Sequence, residues 1–320
     1  MTLYPASPRD ISSFAKRLRN GEVVAIPTET VYGLAADATQ ADAVAAIYSI
    51  KERPQFNPLI CHIASLRMAK QYGVFNETAN KLAKEFWPGA LTLVVPRKDN
   101  CKISELASAG LHSLALRCPS HPIAAEILRL AKRPLAAPSA NPSGRLSPTR
   151  PEDVRRTLPN IDVLDGGYCE VGVESTIIGC LGDMAVYLRA GGISRGDIEA
   201  CLGEPLTDVP TEKGDAARLA PGRLVRHYAP HVPLHINCTQ VKEDMLLLGF
   251  GADAPADVAD NLSETGDLCE ATANLFACLH KLDLQAQAEN KHIGVMPIPH
   301  HGLGEAINDR LSRAAEVVDK

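Results

Sequence analysis

The sequence changes from an apolar strand to a polar loop at PTETVYGL, residues 27–34. The apolar run before it, residues 23–26, is typical of a buried strand that ends at the proline. Three small hydroxyl or acidic side chains then stand where the strand gives way to a turn. Because α/β proteins place binding groups in loops at strand ends, this stretch predicts the position of a ligand site.

The composition indicates a globular protein of one large or two ordinary domains. The chain has 320 residues, of which 45% are hydrophobic and only 4% aromatic, so we expect a mainly aliphatic core. We expect no secretory signal, because the N-terminus lacks a basic start and an apolar stretch, and no membrane segment, because no apolar run approaches ~20 residues. The nine cysteines include no C-x-x-C pair, which favours reduced thiols in a cytoplasmic protein over disulfides or a zinc site.

Charge is distributed unevenly along the chain, although the net charge is only −5. Residues 1–203 carry 23 lysines and arginines against 20 acidic residues, whereas residues 204–320 carry 10 against 18. The first part is therefore expected to bind an anionic ligand such as a nucleotide or RNA, although a small positive excess also serves solubility.

Apolar periodicity divides the chain into three parts. Residues 1–203 alternate between predicted strands and helices. Residues 204–232 carry prolines and charges without a sustained period, as a linker does. Residues 233–320 follow a strand–helix–strand–helix order, which predicts a small parallel α/β domain.

Two local patterns in the first part are specific enough to predict elements. The first helix is expected to have Ser7 as its N-cap and to end at Asn20. Two apolar runs, residues 174–178 and 185–189, predict a pair of strands.

A second polar segment follows a predicted helix at residues 40–50. Lys51 and Arg53 stand at the end of that helix, and Pro54 stops it. They either complement the negative end of the helix dipole or bind phosphates, and Asn57 adds an amide that could bridge a phosphate or ribose.

A third polar segment, residues 137–144, follows a short predicted strand. Ser139 and Asn141 would lie on one side of an extended chain, where they either cap a turn or face a ligand. Gly144 and Ser147 continue a small polar loop that would let a phosphate approach the backbone closely.

Arg117 and His62 each have two interpretations. Arg117 ends a predicted strand, where it is either a surface charge or a fork for a carboxylate. His62 lies on an apolar strand, where it is either a hydrogen-bonded core residue or part of a site. Other histidines, such as His227, lack the spacing of metal ligands, so we expect no metal site built from protein side chains. The sequence contains neither G-x-x-x-x-G-K-[ST] nor G-x-S-x-G, which excludes a P-loop and a nucleophile elbow.

In their order and separations, these segments resemble the YrdC-like family of threonylcarbamoyl-AMP synthases. The matching segments are residues 27–34, 51–54, 117–119, 139–141, 172–178 and 188–191. The segments that resemble the longer, two-domain branch are residues 220–222, 226–230, 302–304 and 308–311. The resemblance implies an α/β fold with a YrdC-like twisted, mixed open sheet and helices, followed by a small Rossmann-like parallel α/β domain. It assigns residues 1–203 to catalysis, 204–232 to a linker or lid, and 233–320 to the small domain.

The resemblance also implies a nucleotidyltransferase reaction. L-threonine and bicarbonate give an N-carboxylated threonine, which attacks the α-phosphate of ATP and releases pyrophosphate. The product, threonylcarbamoyl-AMP, passes to partner proteins that modify an adenosine of tRNA. A Mg²⁺ ion held largely by the ATP phosphates is expected.

Site roles follow from the same resemblance, residue by residue. Threonine would be held by Thr30, His62, Arg117 and Ser175, with Arg117 on its carboxylate. ATP would be held by Arg53, Asn57, Ser113, Ser139, Ser147, Arg189 and Tyr228, with Lys51 and Asn141 close by.

The linker contains one departure from the family's pattern. The longer branch reads PGMKYRHYAP there, and Arg-Leu-Val at residues 223–225 replaces Met-Lys-Tyr, whereas Arg226, His227 and Tyr228 remain. The resemblance implies that the linker folds over the nucleotide. These three residues are therefore expected to form a lid that shields a labile intermediate from water.

Two other functions stay open at this point. A non-catalytic module for double-stranded RNA or tRNA, using residues 1–203, would bind tRNA in a salt-dependent way and release no pyrophosphate. A weak tRNA contact is also compatible with the enzyme. A carbamoyl-handling enzyme with another acceptor would normally carry zinc-finger cysteines and an acylphosphatase-like region.

Overall fold

The computed structural model describes residues 2–54, 56–182, 184–208 and 227–315. Its helices are α1 (Pro8–Arg19), α2 (Ala41–Lys51), α3 (Leu66–Ala69), α4 (Glu77–Phe86), α5 (Pro122–Ala131), α6 (Pro151–Thr157), α7 (Arg195–Leu202), α8 (Leu268–Glu289) and α9 (Gly304–Ala314). The strands of the first part are β1 (Leu3–Pro5), β2 (Val24–Ile26), β3 (Gly33–Asp37), β4 (Ile60–His62), β5 (Leu91–Pro96), β6 (Ser113–Arg117), β7 (Leu135–Ala136), β8 (Val163–Asp165), β9 (Thr176–Gly179), β10 (Val186–Arg189) and β11 (Thr207–Asp208). Those that follow are β12 (Leu234–Ile236), β13 (Met245–Gly249), β14 (Asp260–Asn261) and β15 (His292–Val295).

A large mixed sheet holds the first part of the chain together. Among the described residues, eleven strands join in the order β1-β8-β2-β3-β7-β4-β6-β5-β9-β10-β11. β4 and β6 run parallel, whereas β5–β6 and β9–β10 are antiparallel pairs. The mixed sheet and the predicted strand pair near residues 174–189 are confirmed.

A small parallel sheet forms the last part, in the order β12-β15-β13-β14. Leu275, Phe276 and Leu279 of α8 are buried beside it, as their helical spacing predicts. The predicted parallel α/β arrangement is confirmed. The predicted boundaries at residues 203 and 232 stay predictions.

The two parts share one apolar core. Val31 and Val173 of the first part belong to the same buried cluster as Leu275 and Phe276 of α8. Gly172 permits this approach, because its φ of +74° and a Cβ within 2.5 Å of the Ala273 backbone would both oppose a larger residue. Helix α8 therefore packs directly against the loop that carries residues 172–175.

Helix α1 follows its local signals closely. The Ser7 side chain accepts a hydrogen bond from the Asp10 amide, Pro8 takes the first helical position, and Asn20 is the C-cap. Phe14 and Leu18 are buried against α5, so this prediction is confirmed.

Strand β3 was not predicted, although it directly follows the opening loop. All its residues, Gly33–Asp37, are buried, and the strand lies between β2 and β7. A strand covered on both faces shows no alternation of apolar and polar residues, which is the signal that sequence patterns offer.

Tyr32 fixes the opening loop to a second loop. Its ring is 0% exposed, its hydroxyl donates to the Gly167 carbonyl at 2.6 Å, and it accepts from the Gly166 amide at 3.1 Å. The Glu29 carbonyl accepts from the Val171 amide at 2.8 Å nearby. Residues 166–171 therefore support the loop that begins the site.

We predict that Tyr32→Phe lowers the free energy of unfolding by about 1–2 kcal/mol, because it leaves two buried backbone groups without their partner. Tyr168→Phe removes the same atom from a side chain that is 74% exposed and should be neutral. Urea unfolding of both variants measures the difference. Equal effects of the two substitutions would contradict the role given to the Tyr32 hydroxyl.

Candidate active site

One cleft brings the predicted segments together at the ends of several strands. His62 and Arg117 are the last residues of the neighbouring parallel strands β4 and β6 and lie opposite each other in their ladder. Arg189 ends β10, and Ser175 directly precedes β9. The cleft is lined by Thr30, Val31, Arg53, Pro58, Leu59, Ile60, His62, Arg117, Ala137, Pro138, Ser139, Glu174, Ser175, Arg189, His227 and Tyr228.

Arg117 is the centre of one half of the cleft. Its Nη1 donates to Thr30 Oγ1 at 2.8 Å and its Nε donates to the Gly89 carbonyl at 3.2 Å. Its Nη2 lies 2.8 Å from Glu29 Oε1 but out of line for a hydrogen bond, so charge holds that pair together. Burial alone would raise the pKa of Glu29, but Arg117 outweighs it and holds the pKa at about 2.

His62 is a buried, neutral ring beside Arg117. Burial, and then the charge of Arg117, lower the pKa of His62 to about 3. Within the described ranges neither ring nitrogen has a hydrogen-bond partner of good geometry, although the residue is only 3% exposed. Buried polar atoms are rarely left this way, and because His62 lines the cavity, its ring is available to a polar group of a ligand.

Ser175 and Arg189 close the cleft from the β9–β10 side. The Ser175 hydroxyl lies 2.7 Å from Thr92 Oγ1. Arg189 Nη2 donates to the Ser175 carbonyl at 2.9 Å and reaches its hydroxyl at 3.4 Å. This arrangement places the Arg189 guanidinium between Ser175 and the second half of the cleft.

Arg53 provides a buried cation in that second half. Helix α2 ends at Lys51, and its C-cap Glu52, with a positive φ of 52°, turns the chain so that Arg53 enters the cleft. Arg53 donates to the carbonyls of Asn57 and Pro58 at 3.3 and 3.1 Å. Burial lowers the pKa of Arg53 to about 10, and no carboxylate of the described chain pairs with it.

Lys51 lies behind the cleft wall instead of on it. Its ammonium donates to the Ser139 carbonyl at 2.6 Å and to the Asn141 carbonyl. The side chain is 1% exposed, and burial lowers its pKa well below the ordinary value. Lys51 therefore holds the 139–141 loop in place, and Ser139 reaches the cavity.

Of the two interpretations of Ser139 and Asn141, the structure supports a turn and not an extended chain with both side chains on one side. The backbone N–H of Asn141 donates to the Ser139 carbonyl at 3.0 Å, so the chain turns here and is not extended. The Asn141 side chain donates to the Arg145 carbonyl at 2.8 Å, away from the cavity. Turn chemistry therefore decides the position of Asn141.

Three other predicted residues do not line the cavity. Asn57 contributes its carbonyl to Arg53. The Ser147 hydroxyl donates to Glu174 Oε1 at 2.5 Å. Ser113 begins β6, at the end of the strand opposite to Arg117.

The end of the predicted linker enters the cleft. Tyr228 is 1% exposed with a positive φ of 62°, and its ring centroid lies 4.0 Å from that of His227. The Ala229 amide donates to the Gly144 carbonyl at 2.8 Å, which fixes the segment to the 139–147 loop. Arg226 and the departure at residues 223–225 lie outside the described residues.

Sequence reasoning gave no role to Glu29, Glu174 or Arg310. Glu174 lines the cavity, and its Oε2 accepts from Arg310 Nε at 3.0 Å. Arg310 belongs to α9 and is 1% exposed. Glu29 and Glu174 could have been noticed as acidic residues inside matching motifs, whereas no local signal joins Glu174 to Arg310.

The cleft favours anions. Among its described lining residues are three arginines, Arg53, Arg117 and Arg189, and one carboxylate, that of Glu174. Because His62 and His227 both have a pKa of about 3, they add no charge near neutral pH. Across the described chain, no group of three or more His, Cys, Asp or Glu residues could hold a metal ion.

Comparison with known proteins identifies the family. The Sua5–YciO–YrdC family, described as "Telomere recombination", matches residues 16–191, and the C-terminal domain family of threonylcarbamoyl-AMP synthase matches residues 193–316. The threonylcarbamoyl-AMP synthase of Bacillus subtilis is 39% identical over 95% of this chain and 92% of its own. That of Pyrococcus abyssi is 38% identical over 93% of this chain and 92% of its own.

A solved structure matches the whole fold. The crystal structure of Pyrococcus abyssi Sua5 complexed with L-threonine superposes with a TM-score of 0.87 at 34% identity, and covers 99% of this chain and 100% of that one. No helix of the described ranges is long and apolar enough to span a membrane. The chain belongs to the threonylcarbamoyl-AMP synthase family, in its two-domain branch.

Proposed function

We propose that this protein is an L-threonylcarbamoyladenylate synthase and thus a nucleotidyltransferase. The observation that carries the proposal is the presence, in one cavity, of a half built around Arg117 and a half built around Arg53 and Arg189. The first half suits a small amino acid with a carboxylate and a hydroxyl. The second suits the phosphates of ATP.

In the first half, Arg117 would bind the threonine carboxylate. Thr30 Oγ1 and the Ser175 hydroxyl flank that position, and His62 offers two ring nitrogens without good partners to other polar groups of the substrate. Because His62 is neutral, it can both donate and accept a hydrogen bond.

In the second half, Arg53 and Arg189 would bind the phosphates, with Ser139 beside them. Lys51 would act indirectly by fixing the loop of Ser139. Asn57, Ser113, Asn141 and Ser147 do not line the cavity, so any contact of theirs with ATP needs a rearrangement of the cleft.

The reaction joins the two halves. Threonine and bicarbonate lose water to form the N-carboxylate, one of whose oxygens attacks the α-phosphorus of ATP. The bond from that phosphorus to the bridging oxygen breaks, and pyrophosphate leaves. The carbamate is already an anion, so its attack on phosphorus requires no general base. The arginines lower the barrier by positioning the two anions and stabilising charge on the phosphates.

Mg²⁺ would enter on the ATP phosphates. The Glu174 carboxylate, which lines the cleft, and the Glu29 carboxylate beside Arg117 are both paired with arginines, so neither is a free ligand for the ion. The protein's contribution is therefore confined to the charges that flank the phosphates.

His227 and Tyr228 would act as part of a lid. The cavity holds only about 50 Å³ while these two side chains fill it, and small-molecule sites usually span about 300–1,000 Å³. ATP therefore requires them to move, and their return over the bound nucleotide would exclude water.

The adenylate would be passed to tRNA-modification proteins in the cytoplasm. All nine cysteines are free thiols, as suits a reducing compartment. A direct contact with tRNA stays a prediction.

Pyrophosphate release from ATP tests the function, with threonine and bicarbonate omitted in turn. We expect release only when all three substrates are present. Release that is indifferent to threonine would indicate another acceptor. No release, together with tight, salt-dependent tRNA binding, would favour the RNA-binding module instead.

A further inference from the structure

Arg310 is a buried arginine that lies directly behind the cleft wall. Its Nε donates to Glu174 Oε2 at 3.0 Å, and its Nη1 donates to the Ala190 carbonyl at 2.7 Å and to Asp309 Oδ2 at 2.9 Å. The guanidinium is 0% exposed. Complete burial of a charge is unfavourable unless other groups neutralise it, so these contacts determine where Arg310 can lie.

Glu174 is the partner that faces the ligand. It lines the cavity between Ser175 and Tyr228 and has Ser147 and Arg310 on its two carboxylate oxygens. Without Arg310, only Arg189 and the Ser147 hydroxyl would offset the negative charge that Glu174 presents where the phosphates are proposed to bind. Like charges at close range in a poorly solvated site repel strongly.

Helix α9 also fixes the end of the linker. The Arg310 guanidinium carbon lies 5.3 Å from the ring centroid of Tyr228, within the range of a cation–π contact. One turn further on, the Arg313 carbonyl accepts from the His227 amide at 3.1 Å. The helix thus contacts both described linker residues that line the cavity.

Unsatisfied atoms cluster at this contact. Arg310 Nη2, Tyr228 Oη and His227 Nδ1 are buried and have no hydrogen-bond partner within the described ranges. Such atoms are rare in native proteins, and those of His227 and Tyr228 belong to side chains that line the cavity, so they are available to a bound group.

We infer that Arg310 is a positioning residue of the nucleotide half: from α9 it neutralises Glu174 and sets the position of Tyr228, so that the last part of the chain controls binding of the triphosphate. Arg310 does not line the cavity and acts through these two residues. The inference rests on the proposed function, because it takes the ligand of this half to be ATP. It gives a role to the 308–311 motif.

Charge compensation tests the inference in the full-length protein. The KM for ATP and kcat are measured at saturating threonine and bicarbonate for Arg310→Met, Glu174→Gln and the double variant. Arg310→Met is expected to raise the KM for ATP by at least about tenfold, because it unmasks Glu174. The double variant, which removes both charges, should return to within about threefold of Glu174→Gln.

A purely structural role predicts a different pattern. If Arg310 only held the two parts together, the double variant would be as impaired as Arg310→Met or worse, and that result would overturn the inference. An unchanged KM for ATP in folded Arg310→Met would also overturn it. Lys281→Met is the control. It removes an exposed cation of α8 that pairs with Asp260 of β14, and it should leave the KM for ATP unchanged.

Two further readouts keep the test decisive. If Arg310→Met does not fold, Arg310→Lys replaces it: retained charge should keep the KM for ATP within about threefold of wild type while the melting temperature falls. A KM raised tenfold or more in folded Arg310→Lys would overturn the inference. A wild-type protein that releases no pyrophosphate would instead refute the proposed function, independently of the variants.

Discussion

Replacing Arg117 with methionine is expected to lower kcat/KM for threonine by about 10²- to 10³-fold. The change removes the fork proposed for the carboxylate and leaves Glu29, which is 5% exposed, as a buried anion beside the substrate. Removing one member of a buried charge pair costs about 3–5 kcal/mol, because the other charge stays uncompensated. Since each 1.4 kcal/mol changes an equilibrium constant about tenfold, this cost corresponds to the expected loss in kcat/KM.

Initial rates of pyrophosphate release at varied threonine measure this effect. Arg129→Met is the matched control, because it also removes an arginine from a pair with a glutamate. Arg129 is 66% exposed on α5 and does not line the cleft. Its rates should equal those of the wild type. A wild-type KM for threonine in Arg117→Met would exclude Arg117 as the carboxylate ligand.

The same variant has an expected pH signature. In the wild type, burial would raise the pKa of Glu29, but Arg117 lowers it to about 2, so the pair stabilises the fold at neutral pH and this contribution is lost only as pH falls toward 2. In Arg117→Met the strongest influences that lower the pKa of Glu29 are gone, and burial, the largest cause, outweighs the remaining backbone hydrogen bonds of Glu29 and Ser120, so this pKa should rise above its ordinary value. The stability difference between the two proteins should therefore shrink between pH 7 and pH 4, as measured by urea unfolding.

Part of the cleft could be predicted from the sequence, because several of its polar residues lie at or near the ends of apolar runs. Arg117 and Arg189 each end an apolar run, and His62 lies near the end of another, where loops gather at the edge of a sheet. The matching motifs then grouped these residues before any geometry was known. The small parallel α/β domain was predictable from its strand–helix–strand–helix order, in which α8 repeats its apolar residues at helical spacing.

The charge pairs could not be predicted, because they join distant parts of the chain. Arg310 and Glu174 are 136 residues apart, and each alone resembles an ordinary surface charge. Lys51 shows the converse limit: its place at a helix end suggested phosphate binding, yet the turn at Ser139 supplies carbonyls that hold its ammonium. Which partner a buried charge finds depends on tertiary packing, and local periodicity carries no information about it.

Replacing Arg53 with methionine is expected to weaken ATP binding by about 10- to 100-fold without destabilising the fold. Hydrogen bonds to charged groups contribute about 1.5–3 kcal/mol, which sets the size of the binding loss. Arg53 is 8% exposed and contacts only backbone carbonyls among the described residues. The loss of the hydrogen bond to the Pro58 carbonyl opposes this, whereas the Asn57 carbonyl keeps the hydroxyl of Tyr48. Since a desolvated cation without an anion disfavours the folded state by more than one neutral hydrogen bond contributes, an apolar side chain of similar length should leave the free energy of unfolding equal or higher.

Two measurements, the KM for ATP and urea unfolding, separate binding from folding. Arg53→Met is expected to weaken ATP binding but not to lower the free energy of unfolding. A residue that binds ATP loses affinity on substitution while the fold keeps or gains stability. If Arg53 only holds the loop of Asn57 and Pro58, its substitution should instead lower the free energy of unfolding. Arg67→Met, on the exposed face of α3, should change neither quantity. If Arg53→Met lowers stability and leaves the KM for ATP unchanged, the buried guanidinium is structural, and the nucleotide half of the cleft has to be built on Arg189 without it.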